Sequence, residues 1–353
     1  MAVRPRVTAA MIAEELKLSR TTVSAVLSGR AERHRIAGET VQRVLTAARR
    51  LNYRPNAAAR QLAGHRSNSV GVLVTSELMI DLRLIAIMEV LASARGIRFI
   101  VGHAVGSETQ VKDYLADFRS RGVDGLFSFF HSHVASKSIL RELLEMHNVV
   151  FYEAPAELGP HQKIRPCYVG PDFYRVGYMA TEYLARQGRR RIGLYFREMM
   201  FPYAVQRRRG HEDALRDAGL SPNDELVWVM TDQTKRHWMD LPTPEIAEQA
   251  VEALVRQGRA DAIIAANDLY AASLITALRK RGYRVPDDVA VVGSDNLEFG
   301  VFLDPPITTI DLKLRDLAEA LVEMMFHLLD ERPIPEEKRG VVVEPSLVVR
   351  ASA

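Results

Sequence analysis

The feature that most constrains the fold is a regular alternation of short apolar runs and helical stretches from Ser69 onward. Val70 to Val74 is the first apolar run, and a helical stretch around Leu84 to Arg95 follows it. Apolar strands joined by helices are typical of parallel sheets that are covered on both faces. The alternation restarts in the proline-containing region after Tyr152, so the pattern predicts two α/β lobes. Ligands in such sheets bind at the carboxyl ends of the strands, and a cleft between the lobes is the expected site.

The same pattern assigns further elements to each lobe. In the first lobe it predicts strands at 98–101, 125–130 and 149–152, with helices near 110–121 and 138–147. In the second lobe it predicts strands at 191–196, 226–230, 261–266 and 289–293, with helices near 174–186, 204–218, 245–257 and 268–281.

Composition limits the class of protein. The chain has 353 residues, 47% of them apolar, which is enough for two or three domains with apolar cores. Cys167 is the single cysteine, which excludes an intramolecular disulfide framework and fits a reducing compartment. We interpret Cys167 as a small apolar core residue rather than a nucleophile. The N-terminus lacks the apolar core of a signal peptide, and no run is long enough to span a bilayer, so we expect a soluble cytoplasmic protein.

Charge is distributed unevenly along the chain. From Met1 to Arg66 there are thirteen Lys and Arg against four Glu and no Asp, a net charge of +9. Because the whole chain carries +3, the remainder carries −6. A basic end on an acidic body indicates a module that binds a polyanion, attached to a domain with another task.

The basic end is predicted to form three short helices. Thr8 caps a first helix that runs to about Leu16, Ser19 caps a second from Arg20 to Ser28, and a third covers about Glu39 to Asn52. On the second helix the apolar face is formed by Val23, Val26 and Leu27, and the outer face by Arg20, Thr21, Ser24, Ala25 and Ser28. A narrow outer face with Arg20 at the start of the helix suits the major groove of DNA. This arrangement predicts a helix-turn-helix module.

Several short motifs follow one another in this region: Val7-Thr8, Ile12-Ala13, Ser19-Arg20-Thr21-Thr22-Val23-Ser24 and Leu51-Asn52-Tyr53-Arg54-Pro55-Asn56, continued by Ala59-Arg60-Gln61-Leu62. In order and spacing they resemble the DNA-binding headpiece of the LacI/GalR family of bacterial transcription regulators. The resemblance implies that Arg20 and Thr21 read bases, that Ser19, Thr22 and Ser24 lie near phosphates, and that Tyr53 and Asn56 hold the DNA backbone. It also implies that Leu62 is a wedge in the minor groove.

The segment from Asn56 to Gly64 is predicted to be a hinge helix. Pro55 ends the preceding helix, Asn56 can cap a new one, and Gly64 can close it. So short a helix is marginal in water unless something braces it. We therefore expect a headpiece at 1–55, a hinge helix and linker at 56–66, and a two-lobed body at 67–353 that binds effector and dimerises.

Three features depart from the headpiece pattern. Ala25 stands where the family usually has Arg, and Lys17 stands where it usually has Gly. If that turn requires a positive φ at Lys17, the strain is on the order of 1 kcal/mol. The loop from Gly29 to Ile36 is longer than usual and basic, with Arg30, Arg33, His34 and Arg35. Arg35 and its neighbours are either an additional phosphate clamp or a solvated charged loop.

The body also resembles the family, whose body is similar to a periplasmic sugar-binding protein. The matching motifs include Ser69-Val70-Gly71-Val72, Arg121-Gly122-Val123-Asp124-Gly125-Leu126, Ala265-Ala266-Asn267-Asp268, Gly293-Ser294-Asp295 and Pro305-Pro306-Ile307-Thr308-Thr309-Ile310. The resemblance covers about residues 7 to 350. It implies a fold of α + α/β class, with a helix-turn-helix headpiece, a hinge helix and a two-lobed body of parallel sheets like that of periplasmic binding proteins.

Three body residues match effector contacts of the family: Arg207, Asn267 and Asp295. A carboxylate accepts two neighbouring hydroxyls, and a guanidinium donates to ring or hydroxyl oxygens. The alternative is that Asn267 and Asp295 only cap helices or tie loops. The loop after the first strand has neither proline nor aromatic, and an apolar residue, Leu312, stands near a usual polar contact. A sugar effector is therefore implied by the family and not by these pocket residues.

The helix around Leu84 to Leu91 is apolar on more than one face, and the matching helix of the family lies at a dimer interface. With no nucleotide-binding loop and no nucleophile elbow in the sequence, we interpret the chain as a regulator, not an enzyme, with no cofactor. His131 and His133 lack further ligands at metal-site spacing, so no metal site is predicted.

The sequence thus predicts a homodimeric transcriptional regulator, controlled by a small polar ligand, that represses by binding a pseudo-palindromic operator. It would be cytoplasmic, associated with the nucleoid when bound to DNA, and have no membrane partner. Two alternatives stay open. One is a regulator of the same fold that responds to a partner protein, and the other is a carbohydrate-active enzyme with a DNA-binding appendage.

Overall fold

The computed structural model describes residues 7–29, 31–53, 66–75, 79–104, 107–129, 137–155, 166–196, 202–230 and 242–353. Their internal contacts divide the chain into two compact units. The first contains the N-terminal helices and extends to Asn68, and the second contains both sheets. Among the described residues, no helix is both long enough and apolar enough to cross a membrane.

The N-terminal unit contains three helices, α1 (Ala9–Leu16), α2 (Arg20–Leu27) and α3 (Gly38–Arg50). As predicted, Thr8 caps α1 and Ser19 caps α2 through their side-chain oxygens. The helices enclose a small apolar core, in which the buried members are Ile12, Ala13, Val23, Val26, Val44, Ala47 and Ala48. A few short helices suffice because each contributes one apolar face to this core.

Lys17 closes α1 in the left-handed conformation, with φ 55° and ψ 40°. Its backbone N–H donates to the carbonyls of Ala13 and Glu14, so the turn satisfies the last carbonyls of the helix. The turn therefore does require a positive φ at Lys17, the condition under which strain was considered from the sequence. A side chain with a Cβ is strained in this region, and glycine is not.

Lys17→Gly is expected to stabilise the N-terminal unit by up to about 1 kcal/mol, because glycine adopts this φ without steric cost. Lys17→Ala is the matched control, since it removes the same charge but keeps the Cβ. Urea unfolding of both variants measures the difference. Equal stability of the two variants would show that Lys17 carries no conformational strain.

The first lobe of the body is a six-stranded sheet in the order β11-β5-β4-β3-β1-β2, in which all neighbouring pairs are parallel. The strands are β1 (Ser69–Val74), β2 (Arg98–His103), β3 (Gly125–Phe129), β4 (Val149–Tyr152), β5 (Cys167–Pro171) and β11 (Gly340–Val343). The helices α4 (Met79–Ala94), α5 (Glu108–Arg121) and α6 (Lys137–Glu145) alternate with the first strands. Cys167 is buried among the apolar core side chains, as expected.

The second lobe is also six-stranded, in the order β12-β10-β9-β8-β6-β7, and only its β10–β12 pair is antiparallel. The strands are β6 (Ile192–Phe196), β7 (Val227–Val229), β8 (Ala262–Ala265), β9 (Ala290–Ser294), β10 (Thr308–Asp311) and β12 (Ser346–Val348). The helices are α7 (Phe173–Arg186), α8 (Pro202–Asp217), α9 (Pro244–Val251) and α10 (Asp268–Lys280). The two predicted lobes of parallel sheet are therefore confirmed.

The chain passes between the lobes three times. It leaves the first sheet after β5, returns to it after β10 through α11 (Leu314–Leu329), and leaves it again between β11 and β12. Neither α11 nor the strands β5, β10, β11 and β12 were assigned by the alternation pattern. In α11, nine of sixteen residues are buried, and its exposed residues, Arg315, Asp316, Glu319 and Glu323, share the opposite face.

The helices α7 and α8 cross with their backbones in direct contact at two glycines. A Cβ built on Gly177 would lie 1.9 Å from the carbonyl oxygen of Arg207, and one on Gly210 would lie 2.0 Å from that of Tyr174. Beside this crossing, the buried Thr181 hydroxyl donates to the Gly177 carbonyl (2.8 Å) and lies 2.8 Å from Nδ1 of His211. Burial lowers the pKa of His211 to about 3, so its imidazole is neutral.

Candidate functional sites

The exposed face of α2 is the candidate surface for reading DNA. Arg20, Thr21 and Ser24 are exposed. The Ser19 hydroxyl accepts from the backbone N–H of Thr22 (3.0 Å) and lies 2.8 Å from the Thr22 hydroxyl. This cap holds the first turn of α2 rigidly, so the side chains of Arg20 and Thr21 leave the helix from a defined position.

The structure corrects the predicted outer face at one position. Ala25 was expected on it, but only 4% of its surface is exposed. Its single methyl group projects little beyond the helix backbone, so the 100° periodicity alone did not determine its exposure. The exposed surface of α2 is consequently smaller than predicted and consists mainly of one arginine and two hydroxyl side chains.

The basic loop after α2 forms a tight turn. Arg33, His34 and Arg35 are exposed, and Arg35 adopts a positive φ of 49°. The backbone N–H of Arg35 donates to the carbonyl of Glu32 (2.9 Å), and that of Ile36 to the carbonyl of Ala31 (3.0 Å). The turn therefore presents its charges to solvent, in a geometry compatible with either phosphate contact or simple solvation.

The remaining predicted DNA contacts lie at or beyond the end of α3. Tyr53 is half-buried against the headpiece core, and its backbone N–H donates to the carbonyl of Ala48 (2.8 Å). Asn56 and Leu62, with the rest of the predicted hinge helix, lie outside the described residues.

In the body, Arg207 of α8 is the centre of the candidate effector site. Its side chain is 5% exposed, and its guanidinium donates to the carbonyl of Ala266 and to the Ser294 hydroxyl (3.2 Å). Ala266 directly follows β8, and Ser294 is the last residue of β9. Arg207 therefore lies at the carboxyl edge of the second sheet, where ligands bind in such folds. Its Nε–H is buried without a hydrogen-bond partner among the described residues.

Two aromatic rings flank this guanidinium. The Arg207 guanidinium carbon lies 5.1 Å from the ring centre of Phe173 and 5.9 Å from that of Tyr203. Tyr203 is one of four aromatic residues that the sequence offers for stacking on an effector, the others being Phe201, Trp228 and Trp238, whereas Phe173 is not among them. Phe201 and Trp238, also considered as stacking residues, lie outside the described residues, while Trp228 packs beside Tyr195 in the second-lobe core.

Asp295 is the acidic counterpart of Arg207. It is 7% exposed and has a positive φ of 100°, held by a hydrogen bond from its N–H to the carbonyl of Ile310 (2.9 Å). Burial raises the pKa of Asp295 well above its ordinary value, while the nearby charge of Arg207 opposes that rise. Burial conversely lowers the pKa of Arg207, and Asp295 counteracts this.

The loop that carries Asp295 is fastened by a fully buried carboxylate that the sequence did not identify. Asp268 accepts from the backbone N–H of Leu297 (2.7 Å) and from the Thr309 hydroxyl (2.6 Å). Burial raises the pKa of Asp268 to about 6. Arg350 adds a further tie by donating to the side-chain oxygen of Asn296 (2.6 Å).

Asn267 caps α10. Its side-chain oxygen accepts from the backbone N–H of Tyr270 (3.0 Å), which leaves its amide N–H₂ for other partners. The capping role considered from sequence is therefore present, and an effector contact through the amide is compatible with it. Leu312 is 2% exposed and belongs to the apolar core.

The first lobe faces this site with polar groups at its own carboxyl edge. Tyr152, at the end of β4, is 4% exposed and stacks on Phe129 with ring centres 5.0 Å apart. Burial raises the pKa of Tyr152. The charges of Glu153 and Asp81, both in the first lobe, raise this pKa further, and the charge of Arg207 in the second lobe lowers it. The ion pair between Arg83, which follows β1 of the first lobe, and Glu298, which follows β9 of the second, shows that the two carboxyl edges face each other.

These features define a class of protein: a helix-turn-helix module joined to a two-lobed body with a buried, charged ligand cleft. Comparison with known proteins agrees with this class. Residues 11–56 match the family of bacterial regulatory proteins of the lacI family, and residues 181–353 match the periplasmic binding protein-like domain. Among curated relatives, the HTH-type transcriptional repressor PurR of Histophilus somni (strain 129Pt) is 28% identical over 344 residues, covering 97% of each chain. PurR of Pasteurella multocida (strain Pm70) is similar to the same extent.

Solved structures share the fold over the whole chain. A Lac repressor dimer bound to operator and the anti-inducer ONPF has a TM-score of 0.81 at 23% identity and covers 99% of both chains. The CelR–cellobiose complex has a TM-score of 0.70 at 24% identity and covers 99% of this chain.

The chain thus carries a helix-turn-helix domain of the LacI family of bacterial regulatory proteins and a periplasmic binding protein-like domain. It is a DNA-binding transcriptional regulator, and the interpretation that it is not an enzyme is confirmed by this kinship.

Proposed function

We propose that the protein is a repressor that binds a pseudo-palindromic operator as a homodimer and is controlled by a small polar effector. The observation that carries the proposal is the combination of an exposed, arginine-led α2 with a cleft in which a buried guanidinium and a buried carboxylate face each other. A buried polar cleft favours a small ligand over a partner protein as the controlling signal, because a protein surface does not reach such groups. The PurR relatives, named as repressors, support this mode of action.

Dimerisation is supported by an exposed apolar stripe. On α4, Met79, Leu82 and Val90 are 45%, 52% and 67% exposed, and Val101 on the neighbouring edge strand β2 is 53% exposed. Helix residues four apart lie on one face, so Leu82 and Val90 belong to a single surface. A surface of this kind is expected to be covered by a partner, and the two-fold symmetry of a dimer fits a palindromic site.

The residue roles in this proposal are as follows. Arg20 and Thr21 read bases; Ser19, Thr22, Ser24 and Arg35 contact phosphates; Tyr53 and Asn56 hold the backbone; and Leu62 wedges the minor groove. Arg207, Asn267 and Asp295 contact the effector, for which we propose a sugar or another small polar metabolite. The headpiece takes 1–55, the hinge and linker 56–66, and the body 67–353. The protein acts in the cytoplasm and is associated with the nucleoid when bound to DNA.

Selection of bound sequences from a random duplex DNA pool tests this proposal. Purified full-length protein is expected to enrich a pseudo-palindrome, and sedimentation is expected to show one dimer on each duplex. Enrichment of a single asymmetric site by a monomer would contradict the proposed mode of binding.

Arg20→Ala is expected to relax base preference at one position in each half-site by about 1–3 kcal/mol, as for the loss of a bidentate contact to guanine. Repeating the selection with the variant measures this. Arg50→Ala is the matched control: it removes the same charge from α3, where Arg50 pairs with Glu15. An unchanged preference in the Arg20 variant would remove Arg20 from the reading surface.

A further inference from the structure

The loop that follows β9 holds Asp295 in an unfavourable backbone conformation. Asp295 has a φ of 100°, and the next residue, Asn296, has a φ of 50°. Asparagine tolerates the left-handed region, but the φ of Asp295 lies beyond the part of it that residues with a Cβ adopt readily. A strained residue of this kind persists only where the surrounding structure enforces its conformation, and such residues are concentrated at binding sites.

Three consecutive backbone N–H groups of this loop donate to acceptors in the second-lobe core. They are those of Asp295, to the carbonyl of Ile310 (2.9 Å); of Asn296, to the Thr309 hydroxyl (3.3 Å); and of Leu297, to the Asp268 carboxylate (2.7 Å). Because all three donors are satisfied in this conformation, the hydrogen bonds offset the cost of the unfavourable φ.

Asp268 controls two of these three acceptors. Its Oδ2 is the acceptor of the Leu297 N–H, and its Oδ1 accepts from the Thr309 hydroxyl (2.6 Å). A hydroxyl has a single proton, so the Thr309 hydroxyl that donates to Asp268 offers its lone pairs to the N–H of Asn296. The carboxylate thereby fixes two amides of the loop, one directly and one through Thr309.

The position of the Asp268 carboxylate is itself fixed. Asp268 is the first residue of α10 and is fully buried. It lies directly against β9, because a Cβ built on Gly293 would be 2.2 Å from its Oδ1. Two buried donors and a strand backbone therefore leave this carboxylate one available position.

The loop that Asp268 holds begins beside the Arg207 guanidinium. Ser294, the residue before Asp295, accepts from this guanidinium through its hydroxyl (3.2 Å). Asp295 is 7% exposed, so its carboxylate has little freedom unless the loop moves. Movement of the loop would therefore change the position of this carboxylate relative to Arg207.

We propose that Asp268 is a positioning residue of the effector cleft, which holds the loop of Asp295 in its strained conformation and keeps the Asp295 carboxylate beside Arg207. The inference rests on the proposed function, in which Asp295 and Arg207 contact the effector. Asp268 acts through Asp295, since its own carboxylate is engaged by Thr309 and Leu297. An effector then meets a carboxylate that is already in place and does not have to order the loop itself.

A purely structural role for Asp268 predicts a different outcome. A carboxylate in the first turn of a helix stabilises that helix through its dipole, whatever the conformation of a neighbouring loop. In that case Asp268→Asn lowers the stability of every variant alike. If Asp268 instead holds the loop, the substitution also releases the strain at position 295.

The first arm of the experiment measures this strain in the full-length protein. Asp295→Gly and Asp295→Ala remove the same carboxylate, but only glycine adopts the φ of this position without steric cost. Urea unfolding at neutral pH compares the two in the wild-type and Asp268→Asn backgrounds. The entropy that glycine loses on folding is the same in both backgrounds and cancels. The ratio of folding equilibrium constants, glycine variant over alanine variant, is expected to be smaller by about fivefold or more in Asp268→Asn, as for the release of one strained residue.

Asp261→Asn is the matched control for Asp268→Asn. Asp261 also accepts from two backbone N–H groups of the second lobe, at 2.8 and 3.0 Å, but it directly precedes β8 and so lies at the opposite, amino edge of the sheet. This background is expected to leave the ratio of the glycine and alanine variants unchanged.

Thr309→Val provides a second variant that does not depend on the folding of Asp268→Asn. It removes only the hydroxyl between Asp268 and the loop and is expected to lower the same ratio. Thr308→Val is its matched control, since Thr308 is equally buried on the same strand but accepts from the backbone N–H of Arg350 (2.9 Å).

The second arm measures whether the loop keeps Asp295 beside Arg207. A double-mutant cycle of Arg207→Leu and Asp295→Asn gives the coupling between the two side chains. This coupling, as a ratio of equilibrium constants, is expected to be weaker by about fivefold or more in Thr309→Val than in Thr308→Val. A structural role alone would lower the stability of all variants and leave the coupling unchanged.

The inference is overturned if the ratio of the glycine and alanine variants is the same in Asp268→Asn as in wild type, or the same in Thr309→Val as in Thr308→Val. It is also overturned if Thr309→Val leaves the coupling of Arg207 and Asp295 unchanged. Neither arm uses DNA or an effector. A failed DNA selection would remove the proposed function without altering either arm, so the two failures are distinguishable.

Discussion

Replacing Arg207 by leucine is expected to destabilise the body by about 3–5 kcal/mol at neutral pH, because it leaves a buried carboxylate without its compensating charge. Arg207 is the only Lys or Arg that is buried as a whole residue in the described part of the chain, and its charge opposes the effect of burial on the pKa of Asp295. The same variant loses its hydrogen bonds to Ala266 and Ser294 and therefore the link from α8 to the ends of β8 and β9.

The loss of stability caused by Arg207→Leu should depend on pH, and the direction of that dependence can be derived. Burial already raises the pKa of Asp295, and removal of Arg207 raises it further. A carboxyl whose pKa is higher in the folded state than in the unfolded state binds protons preferentially in the folded state, so its folded state loses stability as pH rises. The deficit of Arg207→Leu relative to wild type is therefore smaller in acid, where Asp295 is protonated and the lost hydrogen bonds remain, and grows towards neutral pH.

Denaturant unfolding of wild type and variant from acid to neutral pH measures this deficit. Arg208→Leu is the matched control, because Arg208 is the next residue of α8 but pairs with Glu212 and Asp224 at the surface. Surface pairs contribute about 0–1 kcal/mol each, so the control should lose little. A deficit in Arg207→Leu that does not vary with pH would show that Asp295 is not the group that Arg207 compensates.

Gly177→Ala is the second substitution with a large expected effect. The added Cβ would lie 1.9 Å from the Arg207 carbonyl oxygen, a distance that no side-chain rotation can relieve because both atoms belong to backbones. The helices α7 and α8 would have to separate, at a cost of about 3 kcal/mol or more. The gain in helix propensity from glycine to alanine, about 1 kcal/mol, offsets only part of this.

Separation of the two helices would also displace Arg207, because its own backbone is the one that contacts Gly177. We therefore expect Gly177→Ala to lose effector binding together with stability. Gly300→Ala is the control in the same lobe, since a Cβ there meets its nearest neighbour at an ordinary distance of 3.7 Å. Melting curves of the two variants decide the matter, and equal melting temperatures would contradict the close backbone contact.

Local signals predicted much of the fold. The caps at Thr8 and Ser19 and the alternation of apolar runs and helices depend on neighbours in sequence, and each appears in the structure close to its predicted position. Helix α4 begins at Met79, several residues before the expected start near Leu84. The earlier start was not predicted because the first turn mixes apolar and polar residues without a clear helical period. The burial of Ala25 was likewise not determined by helical periodicity.

Some residues of the candidate effector site were likewise predicted from the sequence, and others were found only in the structure. Arg207, Asn267 and Asp295 were identified because they occur in motifs whose order matches a known family. Tyr203 was considered for stacking but was not placed, and Phe173 was not considered. Asp268 stands in the motif Ala265-Ala266-Asn267-Asp268, but its role in fastening the loop of Asp295 depends on side chains from distant parts of the chain, as in the hydrogen bond from the Thr309 hydroxyl.

The sequence by itself determined the helix-turn-helix module, the two lobes of parallel sheet and the family, because capping, periodicity and motif order are properties of neighbouring residues. Only the tertiary structure decided which charges share the cleft, how α7 and α8 cross, and that the C-terminal strands divide between the two sheets. Those features depend on contacts between residues far apart in the chain. Burial and electrostatic coupling arise only when the folded chain brings such residues together.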